Sequence, residues 1–480
     1  MSIRSRSRVL AITVLLVLLI VLVIAVVLVV LLMLLVVLVV AVVLIVLVVL
    51  LVVAVVLVIA VKLLVVVAIE AHLLTSLFIV GIVCLILRKA IHVKTQGRNK
   101  EMLLIQNGLL YTMETEYPTR ADILLKDGKI ERIAPQIKRE ESMEVLDAAG
   151  YKVFPGFIDA HSHIGVSEEK KTVQTDSTNE GTNPITPCMR AVDAINPMDS
   201  AFHNALAAGI TGVMAGPGSA NPIGGQFAFI KTDGRRIDDM IVMAPAAIKI
   251  AFGENPMTNY GMNGNMPSTR MGIASLIREE LTAARQYFDG NGSGDFTMEC
   301  YRDLFEGKIP LKAHVHRADD IFTSMRIAEE FALKLTLDHC TEGHLIAEDI
   351  ARSGYPAIVG PSLASRSKDE VSQSDFKTPG ILQKAGTMVA LTTDHPVSRI
   401  QYLPLCAGLA AKEGMGERGA LRAITVDAAR ICGVGDRLGS LKEGKEGDIV
   451  LYDGDPLQIA SSVKATIING KIAWKSEEAK

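Results

Sequence analysis

The hydrophobic residues of this chain follow two contrasting patterns, one on each side of a short basic segment. Residues 9–61 carry no charged side chain and consist almost entirely of Val, Leu, Ile and Ala. From Glu101 onward, short apolar runs alternate with polar stretches, as they do in a folded globular protein. The pattern predicts a hydrophobic transmembrane segment over 1–90, a basic linker over 91–100 and a folded part from 101 to 480.

The uncharged run is long enough for two membrane-spanning helices, since one span needs about 20 apolar residues. Basic residues flank it at 4–8 and 88–94, and the positive-inside tendency therefore places both flanks in the cytoplasm. We expect a membrane-anchored protein whose folded part is cytoplasmic, with residues 73–87 as a short interfacial helix. The alternative is that this low-complexity run is an artefact of gene prediction or assembly, in which case the protein is cytoplasmic.

Strand-like runs stand at both ends of the folded part, and Asp127-Gly128 and Asn469-Gly470 are strong hairpin signals. Between them, 154–437 alternates short apolar strands with helical stretches, a pattern that favours βαβ units and a parallel sheet. We therefore predict an α/β fold with a (β/α)₈ TIM-like barrel over 154–437. The flanking pieces, 101–153 and 438–480, would together form one small β-sandwich.

Charge and cysteine content restrict the possible partners of the folded part. Without the nine basic residues and one acidic residue of 1–100, the chain keeps 40 basic and 51 acidic residues. This acidic excess argues against nucleic acid as a partner. The six cysteines occur singly, which favours a reduced compartment over a disulfide framework. We expect a small-molecule substrate, with homo-oligomerisation left open.

Four β-type runs in the middle part each end in histidine or aspartate. The residues at these ends are His161 with His163, His314 with His316, His339, and Asp394. Residues two apart in a strand point to the same side, so each histidine pair could chelate one ion. Because barrel active sites form at the carboxyl ends of the strands, the four ends should meet. This pattern predicts a divalent metal site, with zinc as the expected ion.

These motifs resemble the amidohydrolase superfamily, and most closely its imidazolonepropionase-related members. The segments FPGFIDAHSHIG, KAHVHR, LTLDHCTEGH and LTTDHP occur in the order found there, and GSLKEGKEGDIVLYDGDP also matches. The resemblance covers about 101–480 and leaves out the hydrophobic segment. It implies one or two divalent ions bound by the following residues: His161, His163, His314, His339 and Asp394.

The resemblance also implies catalytic roles. Asp394 would act as the general base, and His339 and His316 would complete the catalytic set, with His316 facing the substrate. Lys249 lies within the apolar run Ala247–Ala251, and related enzymes carry there a carboxylated lysine that bridges two metals. The alternative for Lys249 is an amine that reaches solvent, which would leave a mononuclear site.

Several cationic side chains are candidates for binding a substrate carboxylate. Arg317 and Arg366 are the predicted substrate-binding residues, and Lys368 is a third candidate. Each of them could equally be a solvated surface charge.

The predicted reaction is hydrolysis of a non-peptide C–N bond, in a cyclic or linear amide or an amidine, by a metal-activated water. Two other reactions are possible on the same barrel, those of an Xaa-Pro-type dipeptidase and of a deaminase. Deaminases usually carry a glutamate soon after the strand-5 histidine, whereas this chain reads His316-Arg317-Ala318-Asp319. From another class, the chain could be an inactive membrane-linked binding protein, although its complete set of histidines and aspartate argues against that.

Overall fold

The computed structural model describes residues 102–170 and 172–477, together with Val21 and Val23. The strands of the described part are β1 (Met102–Leu110), β2 (Thr119–Lys126), β3 (Lys129–Ala134), β4 (Met143–Asp147), β5 (Lys152–Pro155), β6 (Phe157–Ser162), β7 (Ile210–Ala215), β8 (Ile223–Lys231), β9 (Ile241–Ala251), β10 (Leu311–Val315), β11 (Leu335–His339), β12 (Ala357–Val359), β13 (Val389–Leu391), β14 (Ile449–Tyr452), β15 (Val463–Ile468) and β16 (Lys471–Lys475). The α-helices span Ser200–Ala207, Ile237–Met240, Glu254–Gly261, Arg270–Asp289, Phe296–Glu299, Arg302–Phe305, Ala318–Glu330, Ala347–Ser353, Thr378–Ala385, Leu403–Ala410, Glu417–Ala423 and Val426–Ile431.

The first sheet joins the two ends of the described part in the order β16-β15-β14-β5-β1-β2-β3, with β4 beside β1. Its central contact is the antiparallel pair β5 and β14, in which Pro155 lies opposite Ile449. The hairpins predicted at Asp127-Gly128 and Asn469-Gly470 are confirmed, and all four of these turn residues have positive φ. That conformation is the one that the tight turns of β-hairpins require.

The second sheet runs in sequence order from β6 to β13 and forms the barrel-like part of the molecule. It differs from the predicted (β/α)₈ barrel because β8 is antiparallel to both β7 and β9. Only residues 216–222 connect β7 to β8, whereas a crossover between parallel strands needs a dozen residues or more. The Gly-rich stretch at this point therefore forms a hairpin loop, and the predicted regular alternation of strand and helix is wrong here.

Side chains rather than a backbone ladder connect the first and last strands of this sheet in the described part. Asp159 of β6 is fully buried, and its carboxylate accepts hydrogen bonds from the hydroxyls of Thr392 and Thr393, 2.7 and 2.5 Å long. The Thr393 N–H donates to the same carboxylate over 3.1 Å. Asp159 therefore holds the chain after β13 against β6, where the predicted metal ligands of both strands stand.

The membrane prediction needs correction. Among the described residues, no helix is long and apolar enough to cross a bilayer. The 20-residue helix Arg270–Asp289 has sufficient length, but charged side chains along it exclude a span. The predicted membrane anchoring and the transmembrane part of the predicted fold class are therefore contradicted. The spans expected within 9–61 and the helix expected at 73–87 lie outside the described residues, apart from Val21 and Val23.

Candidate metal centre

The structure brings the predicted ligands together at the carboxyl ends of the strands. His161 lies in β6, His314 in β10 and His339 at the end of β11, while Asp394 follows β13 by three residues. Together with His163, all of them are at most 9% exposed. Two groups of side chains have ligand atoms close enough to hold an ion: His161, His163 and Asp394, and His314, His316 and His339.

In the first group, Asp394 stands beside His161 of β6 and His163, which directly follows that strand. Its Oδ1 lies 3.1 Å from His163 Nε2 and 3.6 Å from His161 Nε2. In the second group, His339 stacks on His316 with ring centroids 4.9 Å apart and meets His314 edge-on at 4.5 Å. The second group contains both histidines of the HxH run, and His316 is therefore also placed to be a ligand.

Four of these histidines have their Nδ1 atom engaged, which leaves Nε2 for the centre of the site. The partners are Asp338 for His161 (2.5 Å), Gly216 O for His163 (2.7 Å), Thr341 for His316 (2.8 Å) and Gly360 O for His339 (2.8 Å). Hydrogen bonds of this kind fix the tautomer and ring orientation of metal-binding histidines. The arrangement therefore suits a metal centre that is bound through Nε2.

Two site residues adopt a backbone conformation that is rare for residues other than glycine. His339 has a φ of 70° and Asp394 a φ of 50°, both in the left-handed region. In regular alternation His339 would point away from its neighbour Asp338, but the turn of the chain lets both side chains face the site. Strain of this kind costs about 1–3 kcal/mol per residue and is concentrated at functional sites.

Unpaired atoms at the centre test whether the site fits a metal. His339 Nε2 is buried and has no hydrogen-bond partner in the described part of the chain, and the buried Asp394 Oδ1 faces only the ring nitrogens of His163 and His161 among the described residues. An unsatisfied buried polar atom costs about 1–3 kcal/mol. A divalent cation binds imidazole nitrogen and carboxylate oxygen together, so the donor set fits such an ion.

Lys249 of β9 points into the barrel, since its Nζ lies 3.4 Å from His161 Nε2 and the residue is fully buried. The alternative in which its amine reaches solvent is therefore excluded. Its neighbour in register, Lys312 of β10, is also buried but has an anionic partner. Lys312 Nζ lies 2.9 Å from Asp338 Oδ2 and donates to Ala160 O, also over 2.9 Å. Only Lys312, of the two, has its charge balanced by a close carboxylate.

Burial controls the protonation of the site. It lowers the pKa of His161, His314 and His339 well below the usual range, and that of His316 to about 4. These rings are therefore neutral at pH 7, which is the form that binds metal. Burial likewise lowers the pKa of Lys249 to about 8.

The carboxylate of Asp394 stays ionised although it is buried. Burial by itself raises the pKa of Asp394, but the nearby rings of His339 and His163 and the ammonium of Lys249 outweigh it. The resulting pKa lies below the usual value, so Asp394 can accept a proton at neutral pH.

A cavity of about 350 Å³ opens above the two groups of ligands. Arg317 and Arg366, the predicted substrate-binding residues, are not among its described lining residues. Arg317 pairs with Asp319 at the surface, and Arg366 is exposed and donates to Ser374 O. Lys368 does line the cavity.

Sequence reasoning overlooked two residues beside the site. Asp338 holds His161, and Glu370 lies 3.9 Å from the Nε2 atoms of both His314 and His316. For Asp338, the only signal in the sequence was its position next to the predicted ligand His339. Nothing in the order of the residues indicated Glu370, because it reaches the site from a separate short 3-10 helix, Asp369–Val371.

Comparison with known proteins identifies relatives of the whole folded part. The sequence profile described as the Amidohydrolase family matches residues 152–473. The crystal structure of an amidohydrolase from Thermotoga maritima MSB8 has 38% identity and a TM-score of 0.76, and the match covers 78% of this chain and all of that one.

Curated sequences give a more distant likeness. The amidohydrolase tasK of Hapsidospora irregularis is 28% identical over 421 residues, 76% of this chain, and the chain spans 42% of its length. A dihydroorotase of Anaeromyxobacter dehalogenans is 24% identical over 401 residues, 73% of this chain and 89% of the relative. The superfamily resemblance is thereby confirmed, whereas the closer relation to imidazolonepropionase-type enzymes stays a prediction.

Proposed function

The chain belongs to the amidohydrolase family, and we propose that it hydrolyses a cyclic or linear amide or amidine at the histidine-lined centre. The family comprises hydrolases of C–N bonds other than peptide bonds, and relatives named amidohydrolase and dihydroorotase fall in that class. The observation that carries the proposal is the convergence of five buried histidines and Asp394 in two groups of ligand atoms, with the unpaired Nε2 atom of His339 at the centre. An inactive binding protein has no use for such an arrangement.

Each residue has a separate task in the proposed mechanism. His161, His163, His314, His339 and Asp394 would hold one or two divalent ions, with zinc the expected metal. A bound divalent cation supplies Lewis-acid activation of water and of the scissile carbonyl. The Asp394 carboxylate takes a proton from the attacking water and returns it to the leaving nitrogen. His316, on the cavity wall, contacts the substrate.

Lys249 is proposed to carry a carbamate that bridges two ions. The contrast with Lys312 supports this role, because Lys312 has Asp338 as its counter-ion at 2.9 Å. Lys249 lies 3.4 Å from an imidazole nitrogen and has no carboxylate within 4 Å among the described residues. A neutral amine at this position can add to carbon dioxide, forming an N–C bond and releasing one proton. The product is an anion beside His161, at a centre whose two groups of ligands offer a single carboxylate in Asp394.

The proposed function is tested first by metal content and hydrolysis. Full-length protein, supplemented with zinc and freed of excess metal, should contain one or two ions per chain by elemental analysis. A panel of cyclic amides and N-acyl amino acids should then include a substrate whose hydrolysis stops on chelation and returns with metal. Fewer than about 0.2 ion per chain in carefully supplemented protein would overturn the proposal.

Lys249→Ala separates a binuclear from a mononuclear site. If the carbamate bridges two ions, this variant should retain about one ion per chain, and bicarbonate should not restore the second. Lys334→Ala, at an exposed position before β11, serves as the control and should keep the full metal content. Unchanged metal content and rate in Lys249→Ala would rule out the bridge.

A further inference from the structure

A charged cluster stands on the cavity wall beside the histidines. Lys368 Nζ lies 2.6 Å from Asn255 Oδ1 and 2.6 Å from Glu370 Oε1. Glu370 is only 2% exposed, and its other carboxylate oxygen accepts a 2.8 Å hydrogen bond from the Glu254 N–H. Two parts of the chain, residues 254–255 and 368–370, thus meet at this lysine, which lines the cavity.

The buried Glu370 explains why Lys368 is held in this place. A buried carboxylate is costly without a cationic partner, and Lys368 supplies that partner. An ammonium has three N–H donors, and the described residues offer acceptors for two of them, Glu370 and Asn255. One donor of a fixed ammonium, a quarter of whose side chain is exposed, is therefore available to a molecule in the cavity.

Lys368 is also the one lysine or arginine among the described residues that line the cavity. The lining histidines, His163, His314, His316 and His339, all belong to the candidate metal centre. Two carboxylates complete the charged lining, Asp394 of the candidate metal centre and the exposed Asp375.

We propose that Lys368 binds a carboxylate of the substrate, so that the enzyme prefers amides that carry a carboxylate to their neutral counterparts. The inference rests on the proposed function and names the substrate class of the same site. It transfers to Lys368 the role that the sequence suggested for Arg317 and Arg366, whose guanidinium groups are engaged at the surface.

The test compares acids with their neutral amides. Zinc-supplemented full-length protein is assayed with N-acetyl-leucine against N-acetyl-leucinamide and with pyroglutamate against pyroglutamide, and calorimetry measures the binding of each compound. A charge-assisted hydrogen bond corresponds to a preference of about ten- to a hundredfold for the acid of each pair. Equal binding and turnover of acids and amides would overturn the inference.

Variants assign the preference to a residue. Lys368→Met should abolish the preference for the acids, chiefly through KM, whereas Lys368→Arg should restore part of it. Lys377→Met, at an exposed position in the same region, is the matched control and should keep the preference. A preference that survives Lys368→Met but disappears in Arg366→Met would return the role to Arg366 and contradict the proposal.

Failure of this inference is distinguishable from failure of the proposed function. Metal-dependent hydrolysis without any preference for acids refutes the role of Lys368 and leaves the amidohydrolase activity standing. If no compound is hydrolysed, the binding affinities measured by calorimetry still test the role of Lys368. Acids that bind no more tightly than their amides would overturn the inference.

Discussion

Asp394 has the properties that a general base in a buried site needs. It is 8% exposed, and its pKa is held below the usual value, so the carboxylate is ionised and can accept a proton at neutral pH. Its Oδ1 atom lies 3.1 Å from His163 Nε2 and 3.6 Å from His161 Nε2. Its backbone is held in the left-handed region, with a φ of 50°. The chain therefore accepts local strain to place this carboxylate beside His161 and His163.

Asp394→Asn should remove most of the activity and leave the fold intact. The amide keeps the shape of the carboxylate but cannot accept the proton of the attacking water, a loss that typically costs about 10²–10⁴ in rate. The measurement is kcat on a substrate from the panel, with circular dichroism as the check on folding. Turnover close to that of the unaltered protein would show that another group is the base.

The ligand candidates were recognisable from the sequence because each stands at or near the end of a short apolar run. Alternation placed His161 with His163 and His314 with His316, and the structure brings these pairs together. Asp338 and Glu370 were not recognisable in the same way. Their positions depend on contacts between distant parts of the chain. Asp338 contacts His161, 177 residues away, and Glu370 contacts Glu254, 116 residues away.

At the scale of elements, a buried ion pair connects the two sheets. Lys231, the last residue of β8, lies 2.6 Å from Asp448 and 2.8 Å from Glu446, just before β14. Asp448 also accepts a hydrogen bond from the Asn469 N–H in the hairpin turn between β15 and β16. The antiparallel course of β8 brings its carboxyl end to this junction, opposite the end of the barrel that holds the metal centre.

Lys231→Met should destabilise the protein by about 3–5 kcal/mol, because it leaves the buried carboxylate of Asp448 without its cation, whereas Glu446 keeps Arg437. Urea unfolding of the full-length protein measures the change. Arg236→Met is the control: its pair with Asp238 is more than 60% exposed on both sides, and the expected loss is about 1 kcal/mol or less. A loss of similar size in both variants would mean that the junction does not depend on this pair.

Local signals predicted some elements and misled about others. The two hairpins follow from Asp127-Gly128 and Asn469-Gly470, since these residues tolerate the positive φ of the turns. The orientation of β8 was missed although residues 216–222 are too few for a crossover. The apolar pattern of a strand gives no direction, and only the length of the connection could have revealed it.

At the scale of the whole molecule, the described part depends on a sheet whose strands come from both of its ends. The apolar residues Ile449, Leu451 and Ile467 of the late strands pack in one cluster with Leu103 and Ile123 of the early ones. The early strands cannot bury their apolar side chains without the late strands, and the late strands cannot do so without the early ones.

A chain that ends at Asp448 should therefore fail to fold. Removal of β14–β16 uncovers the edge of β5 and exposes the apolar cluster, and unpaired edges promote aggregation. Size-exclusion chromatography and circular dichroism would show aggregated or unfolded protein, whereas a chain lacking only 478–480 should behave as the full-length protein does. A monomeric product that ends at Asp448 and unfolds cooperatively would contradict this expectation.

The same sheet determines when the protein can finish folding during its synthesis. Strand β5 cannot pair with β14 until Ile449, the partner of Pro155, has been synthesised, and the ribosome adds Ile449 roughly 300 residues later. At about 5–20 residues per second, translation of that interval takes about 15–60 s. Throughout it, β5 presents an unpaired edge while the barrel strands emerge one after another. During this interval, chaperones in the cell can prevent association between nascent chains. The interval ends only when β14 has left the ribosome and can pair with β5.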